Sequence, residues 1–291
     1  MMRLVQRKWK MLGAILTLVL VCGLVATWAV GGSLCAPRNH PVAAPADLAV
    51  QPVTFSSKSG ATIHGWLLGS ETNRAVVILQ HGIRGSRADL VTRARFLSEA
   101  GYAVLMFDFQ GHGESTAKHI TFGYLESRDS QAAVAFVKGR FPGKPVAVIG
   151  LSLGAAAAAL AQPPLDVQAL VLEMMYPNVI DATKDRIAMR LGPPGRLLSP
   201  LLTIQMKWRI GCSTDDLRPI VSVEKIAAPK LFIAGTEDRD TPLVESKEIF
   251  AHTAEPKEFV SFEGAQHEDL LAFAPDRYKK TILDFLETHL K

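Results

Sequence analysis

A chain of 291 residues with 48% hydrophobic content is long enough for one large α/β domain with a full core, and short for two. Its net charge of +4 at pH 7 is matched by four basic residues near the N-terminus, Arg3, Arg7, Lys8 and Lys10. The balanced remainder offers no electrostatic basis for nucleic-acid binding, and three cysteines do not make a disulfide framework.

Residues 11–30 read MLGAILTLVLVCGLVATWAV without a charge. At ~1.5 Å rise per residue such a helix spans ~30 Å, about the hydrocarbon thickness of a bilayer. The four basic residues precede this run and the next one after it is Arg38, so the positive-inside rule places residues 1–10 in the cytoplasm as a basic tail and the rest outside. A cleaved secretory signal is the competing reading. Such signals use a shorter apolar run, about 7–15 residues, with a small-x-small site close behind, whereas Ala44 and Ala46 lie far downstream. The expectation is an uncleaved, single-pass signal anchor; both readings export the domain. Cys35 follows Gly32-Ser33-Leu34, a poor lipobox because no small residue stands immediately before the cysteine. Residues 31–49, rich in Pro and Ala, are expected to be an extended linker.

Residues 53–57 and 63–68, on either side of Ser59-Gly60, predict an opening antiparallel hairpin. Short β-rich runs follow at 75–79, 103–107, 145–149, 169–172, 230–234 and 258–262, the middle ones continuously apolar as in parallel strands buried on both faces. Helical stretches fall at 88–100, 127–140 and 153–161. The βαβ rhythm predicts a mostly parallel sheet wrapped by helices over residues 50–291. From 177 to 215 no strand signal occurs, and two amphipathic segments flank Pro193-Pro194-Gly195, which reads as a short helical cap inserted in the domain.

Gly150-Leu151-Ser152-Leu153-Gly154 closes a buried strand and opens an alanine-rich helix. That is the setting of a nucleophile elbow, in which a sharp strand-to-helix turn holds a serine in a strained conformation with its hydroxyl beyond the sheet. Ser152 is therefore the expected nucleophile, and the Leu153 N–H, at a helix N-terminus, an expected oxyanion donor. His81-Gly82-Ile83 follows the strand ending in Gln80, which makes the Ile83 N–H the second expected donor and His81 a structural hydrogen-bonder. No His-x-x-x-His or Cys-x-x-Cys pair is present, and no metal or cofactor is expected.

In order, His81-Gly82 after the third strand, Asp108-Phe-Gln-Gly-His-Gly-Glu-Ser115 after the fourth and Gly-Leu-Ser-Leu-Gly after the fifth make the chain resemble the α/β-hydrolase superfamily, within it the monoglyceride-lipase and serine-aminopeptidase-like branch. The resemblance implies an eight-stranded α/β-hydrolase fold with a short cap, and a triad in the order Ser, acid, His. Gly235-Thr-Glu-Asp238-Arg-Asp240-Thr-Pro242 is similar to the family's G-x-x-D-x-x-x-P turn and maps the acid onto Asp238, with Asp240 and Glu237 as rivals. Gly264-Ala265-Gln266-His267 is similar to its G-A-x-H and maps the base onto His267. By the same resemblance, the 108–115 loop shapes the rim of the site without doing chemistry. Its Gly111-x-Gly113 lacks the third glycine of a dinucleotide fingerprint.

Serine at the nucleophile excludes the dehalogenase and epoxide-hydrolase branches, which need aspartate there. What remains is acyl transfer to water. The expected activity is carboxylic-ester hydrolysis on a small-molecule or lipid acyl ester. The alternatives are a serine aminopeptidase, which would want a larger, acidic cap, and a non-catalytic scaffold, which would not need the strained turn.

Overall fold

The computed structural model describes residues 2–290, with side chains from residue 5 onward; Met1, Lys291 and the Arg3 side chain, assigned above to the tail and the domain end, lie outside the described residues. Eight strands form the sheet: β1 Gln51–Ser56, β2 Thr62–Leu68, β3 Val76–Gln80, β4 Ala103–Phe107, β5 Val146–Leu151, β6 Ala169–Glu173, β7 Lys230–Gly235 and β8 Lys257–Phe262. Their spatial order is β8-β7-β6-β5-β3-β4-β2-β1. Only β2 runs against its neighbours; every pairing from β4 to β8 is parallel. This is the α/β-hydrolase fold.

Strands β3 to β7 are apolar because helices cover both faces. Along β3, Val76 and Ile78 enter one core while Val77 and Leu79 enter the other, as the two-residue period of a strand requires. The helices are α2 Val91–Glu99, α3 Glu126–Arg140 and α4 Leu153–Leu160, with Pro275–His289 closing the C-terminal side. Ala155 to Ala159 on α4 are all buried, and their small side chains let the helix lie close beneath β5. The register aligns the C-terminal ends of the strands: Gln80 lies beside Gly150, Leu151 beside Glu173, and Gly235 beside Phe262. The loops that leave these ends share one edge of the sheet, where open parallel sheets place their binding crevice.

The N-terminal part is one helix, α1, Met2–Cys35. Its side chains from Val5 to Ala26 are exposed along its length. The helix runs five residues past the expected span because nothing breaks it before Pro37, whose ring disfavours helical backbone at Ala36. Residues 31–49 are accordingly not the free extended linker read from composition. Their first turn is helical and buries Gly31 and Cys35, and Arg38 and Asn39 pair in parallel with His112 and Gly113. Cys35 and Cys212 are both free and share one buried cluster.

The segment expected to form a cap begins with the helix α5, Val179–Leu191, capped by Asn178, whose Oδ1 accepts the Asp181 N–H at 2.9 Å. The Pro193-Pro194-Gly195 turn is part of a 3₁₀ segment, Pro193–Leu198, and the second expected segment is broken into α6, Ser199–Thr203, and α7, Met206–Ile210.

Asp129, on α3 and fully buried, ties three parts together. It accepts the Ser59 hydroxyl of the β1–β2 turn (2.6 Å) and the Gln110 N–H of the loop after β4 (2.9 Å). Burial lifts its carboxyl to about 7, against the opposing pull of these bonds. A folded-state value above the ordinary 3.8 means that the folded chain holds this proton more tightly than the unfolded one. The contribution is present at low pH and lost as pH rises from about 4 to about 7. Thermal unfolding of Asp129→Asn should therefore lose part of the parent's downward slope in Tm over that range; parallel Tm-versus-pH curves for the two chains would contradict it.

Candidate active site

Ser152 stands between β5 and α4 with φ 50° and ψ −105°. Its N–H donates to the Glu173 carbonyl on β6 (2.8 Å), and its own carbonyl accepts the Ala156 N–H (3.0 Å), so strand and helix both grip the turn. The turn is possible because two side chains are missing. A Cβ at Gly150 would stand 2.5 Å from the Ala155 nitrogen, and one at Gly154 would stand 2.5 Å from the Gln80 carbonyl oxygen on β3. Both approaches are shorter than any side chain tolerates.

His267 lies in the loop after β8, and Asp238 in the loop after β7. With the neutral ring protonated at Nδ1, that N–H donates to Asp238 Oδ2 (2.7 Å), and the Ser152 hydroxyl donates to Nε2 (3.0 Å). Asp238 is buried, and its carboxylate is otherwise saturated: Oδ1 accepts the N–H groups of Asp240 (2.8 Å) and Thr241 (2.9 Å), and Oδ2 the Thr241 hydroxyl (2.7 Å). Burial alone would raise this carboxyl; the bonds from His267 and Thr241 outweigh it and hold it below the usual carboxylate range. Of the rivals, Asp240 turns its side chain to Arg186 at 3.4 Å, and Glu237 is exposed.

The loop after β3 borders the same space, since a Cβ at Gly82 would come within 3.8 Å of Ser152 Cβ. Neither the Ile83 N–H nor the Leu153 N–H donates to a backbone or side-chain acceptor among the described residues. His81 borders the cavity over Ser152, but both of its ring nitrogens are committed to the backbone. Its Nε2 accepts the Phe109 N–H (3.1 Å), which leaves the ring proton on Nδ1 to bond the Gly82 carbonyl (2.7 Å). Burial, reinforced by the adjacent His112 ring, drives the His81 imidazole down to about 3, so it stays neutral. The 108–115 loop is held from below: Asp108 pairs with the buried Arg87 guanidinium and accepts the N–H groups of Arg87 (2.7 Å) and Glu114 (2.9 Å).

A cavity of about 230 Å³ opens over Ser152 and His267, lined also by Gly82, Leu90, Arg93, Met174, Glu268 and Asp269. Its floor holds a buried polar group that the sequence reading missed. Arg93 donates through Nε to the Tyr278 hydroxyl (3.0 Å) and through its guanidinium to Glu173 (3.4 Å) and Asp269 (2.9 Å), and the Tyr278 hydroxyl donates to Glu173. Burial pushes the Glu173 carboxyl up while Arg93 and Tyr278 pull it down, with a net rise. A glutamate at the end of an otherwise apolar strand was the visible sign. Thr241 was also missed, although its place three residues after Asp238 fits a side chain that closes on its own turn.

The chain has the α/β-hydrolase fold and is similar in sequence to one of its families. Residues 71–184 match the family model described as Serine aminopeptidase, S33. The uncharacterized protein YfhR of Salmonella typhimurium is 26% identical over 294 residues, covering 95% of this chain and 94% of that protein. YqkD of Bacillus subtilis, also uncharacterized, is 22% identical over 237 residues, covering 79% and 77%. Among solved structures, the Pyrococcus furiosus esterase Pf2001 superposes with a TM-score of 0.71 at 23% identity, covering 89% of this chain and 99% of that one.

Adding a methyl group at Gly154 should break the turn. Gly154→Ala should lower stability by about 1–3 kcal/mol, the usual cost of overpacking, read as a drop in Tm of several degrees. An unchanged Tm would mean that α4 can retreat from β3 freely.

Proposed function

We propose that this chain is a membrane-anchored serine hydrolase that cleaves carboxylic esters, lipid acyl esters among them, through Ser152, His267 and Asp238. The observation that carries the reading is the unbroken relay from the Ser152 hydroxyl through His267 to Asp238, at 3.0 and 2.7 Å. The Ser152 oxygen attacks the ester carbonyl as its proton passes to His267 Nε2. Asp238 keeps the ring in the right tautomer and stabilises the imidazolium that forms. The N–H groups of Ile83 and Leu153 receive the negative charge on the carbonyl oxygen. The imidazolium then protonates the departing alkoxide, leaving an acyl-serine. Water, deprotonated by the same histidine, attacks it; the acid is released and Ser152 recovers its proton. Each proton taken is returned.

In the same reading, residues 11–30 of α1 cross the membrane, the basic tail 1–10 stays in the cytoplasm, and residues 50–291, with a cap at 177–215, work on the far side. The long apolar helix and the distribution of Arg7, Lys8 and Lys10 before it support this arrangement. The ester choice over peptide is supported by the cap: Arg186, Arg190, Lys207 and Arg209 suit a substrate amine poorly.

A fluorophosphonate probe should label the wild-type chain and leave Ser152→Ala unlabelled; equal labelling of both, or none of either, removes the catalytic reading. On the labelled enzyme, p-nitrophenyl esters of rising chain length should turn over well ahead of aminoacyl anilides, and the reverse order selects the peptidase.

The acid and its support should separate in rate. Asp238→Asn should lower kcat by about 10⁴-fold by favouring the wrong tautomer. Thr241→Val, which removes one hydroxyl bond worth about 1 kcal/mol, should lower it only about tenfold or less. Equal losses from the two would place Thr241 in the chemistry itself.

A further inference from the structure

The cap carries a face that the domain leaves uncovered. Leu197, Leu201, Ile204 and Trp208 succeed one another at steps of four, three and four residues, the spacing of one helical stripe. Leu197, Ile204 and Trp208 are 83%, 64% and 74% exposed. Single exposed leucines are ordinary on a soluble surface, whereas a continuous apolar row marks a contact site.

Gln205, in the turn between α6 and α7, and Arg209, on α7, face α1. Gln205 Nε2 donates to the Thr27 carbonyl (3.2 Å), and the Arg209 guanidinium donates to the Trp28 carbonyl (2.7 Å) while lying 4.1 Å from the Trp28 ring centre. The exposed row therefore continues outward from the flank of the apolar helix, at the level where its uncharged run ends. Of the basic residues between Arg186 and Gly211, Arg186 pairs with Asp240, Arg196 with Asp185 and Arg209 with the Trp28 carbonyl, while Arg190 and Lys207 make no ion pair among the described residues.

We infer that this row is a second membrane contact: Leu197, Leu201, Ile204 and Trp208 enter the interfacial layer of the bilayer that α1 crosses, and the cap rests on the lipid beside its own anchor. This contact presupposes the anchor reading above and adds to it a lipid-binding role for the cap. Continuity with α1 selects lipid over a protein partner, since a face fixed against a membrane helix already lies at the membrane surface. Arg190 and Lys207, which make no ion pair among the described residues, complement anionic headgroups, and an indole ring suits the headgroup level.

The test uses the full chain carrying Trp9→Phe and Trp28→Phe, which leaves Trp208 and the buried Trp66 as emitters; subtracting the spectrum of the same chain with Trp208→Phe isolates Trp208. The chain is reconstituted in vesicles of phosphatidylcholine and phosphatidylglycerol, with and without bromine on the upper acyl carbons. The expected result is blue-shifted Trp208 emission that brominated lipid quenches at least twofold, with the quenching largely lost in Leu197→Ser/Leu201→Ser/Ile204→Ser. Solvent-like, unquenched emission from a chain that floats with the vesicles overturns the cap contact and leaves the anchor standing. Blue-shifted but unquenched emission overturns it in favour of a second copy of the chain on the same face. A chain that does not float with the vesicles overturns the anchor reading and the cap contact with it.

Discussion

At φ 50° and ψ −105°, Ser152 occupies backbone space that costs an L-residue about 1–3 kcal/mol, so the conformation persists only where its surroundings leave no other. Those surroundings are β3, β5, β6 and α4 at once. Gly150 lets the first turn of α4 fold back onto the strand end, Gly154 lets it press on the Gln80 carbonyl, and the Glu173 carbonyl fixes the Ser152 N–H. The strain is thus held by the packing of the whole sheet centre rather than by the five residues of the turn. One consequence is directional: the hydroxyl projects past the sheet edge, and the Leu153 N–H is left at the start of a helix whose dipole favours negative charge beside it.

The remaining parts of the site converge on that fixed point from separate loops, each stiffened by buried polar bonds. His81, neutral and buried, clamps the loop after β3 to the loop after β4 through Gly82 and Phe109. Asp238 is saturated by its own turn, so its second oxygen has one direction left for the imidazole. Desolvation disfavours charge on that carboxylate, and His267 first, then the Thr241 hydroxyl and N–H, more than compensate.

Legibility in the sequence followed the range of the interactions involved. Strand positions and the glycine-flanked turn at residues 150–154 rest on local pattern, apolar runs and glycine spacing, whereas Asp238 and His267 came only from the resemblance of their turns to the family's. Pro and Ala content over residues 36–47 reports what a free segment prefers, whereas Arg38 and Asn39 pair with the 112–113 strand. The cap's second segment was readable as amphipathic but not as broken into α6 and α7. Arg93, Glu173 and the Asp269–Tyr278 stretch are far apart in the chain, and no spacing rule relates them; the charge at the end of β6 is the one local sign.

That buried group also shows how the two sides of the site are kept in step. A buried ion pair is a weak source of stability, since the cost of stripping water from both partners consumes most of their attraction, but removing one partner from such a pair typically costs about 3–5 kcal/mol. Interactions of that kind are poor glue and strict rulers. Arg93 connects Glu173, whose carbonyl holds the Ser152 N–H, with Asp269, two residues beyond His267, and Tyr278 joins the same cluster from the C-terminal helix. The serine turn and the histidine loop are therefore referenced to one guanidinium. Leu residues of equal volume could fill the space, yet they could not set the distance between the two loops, because apolar contacts are non-directional whereas a guanidinium bonded to three partners admits one arrangement.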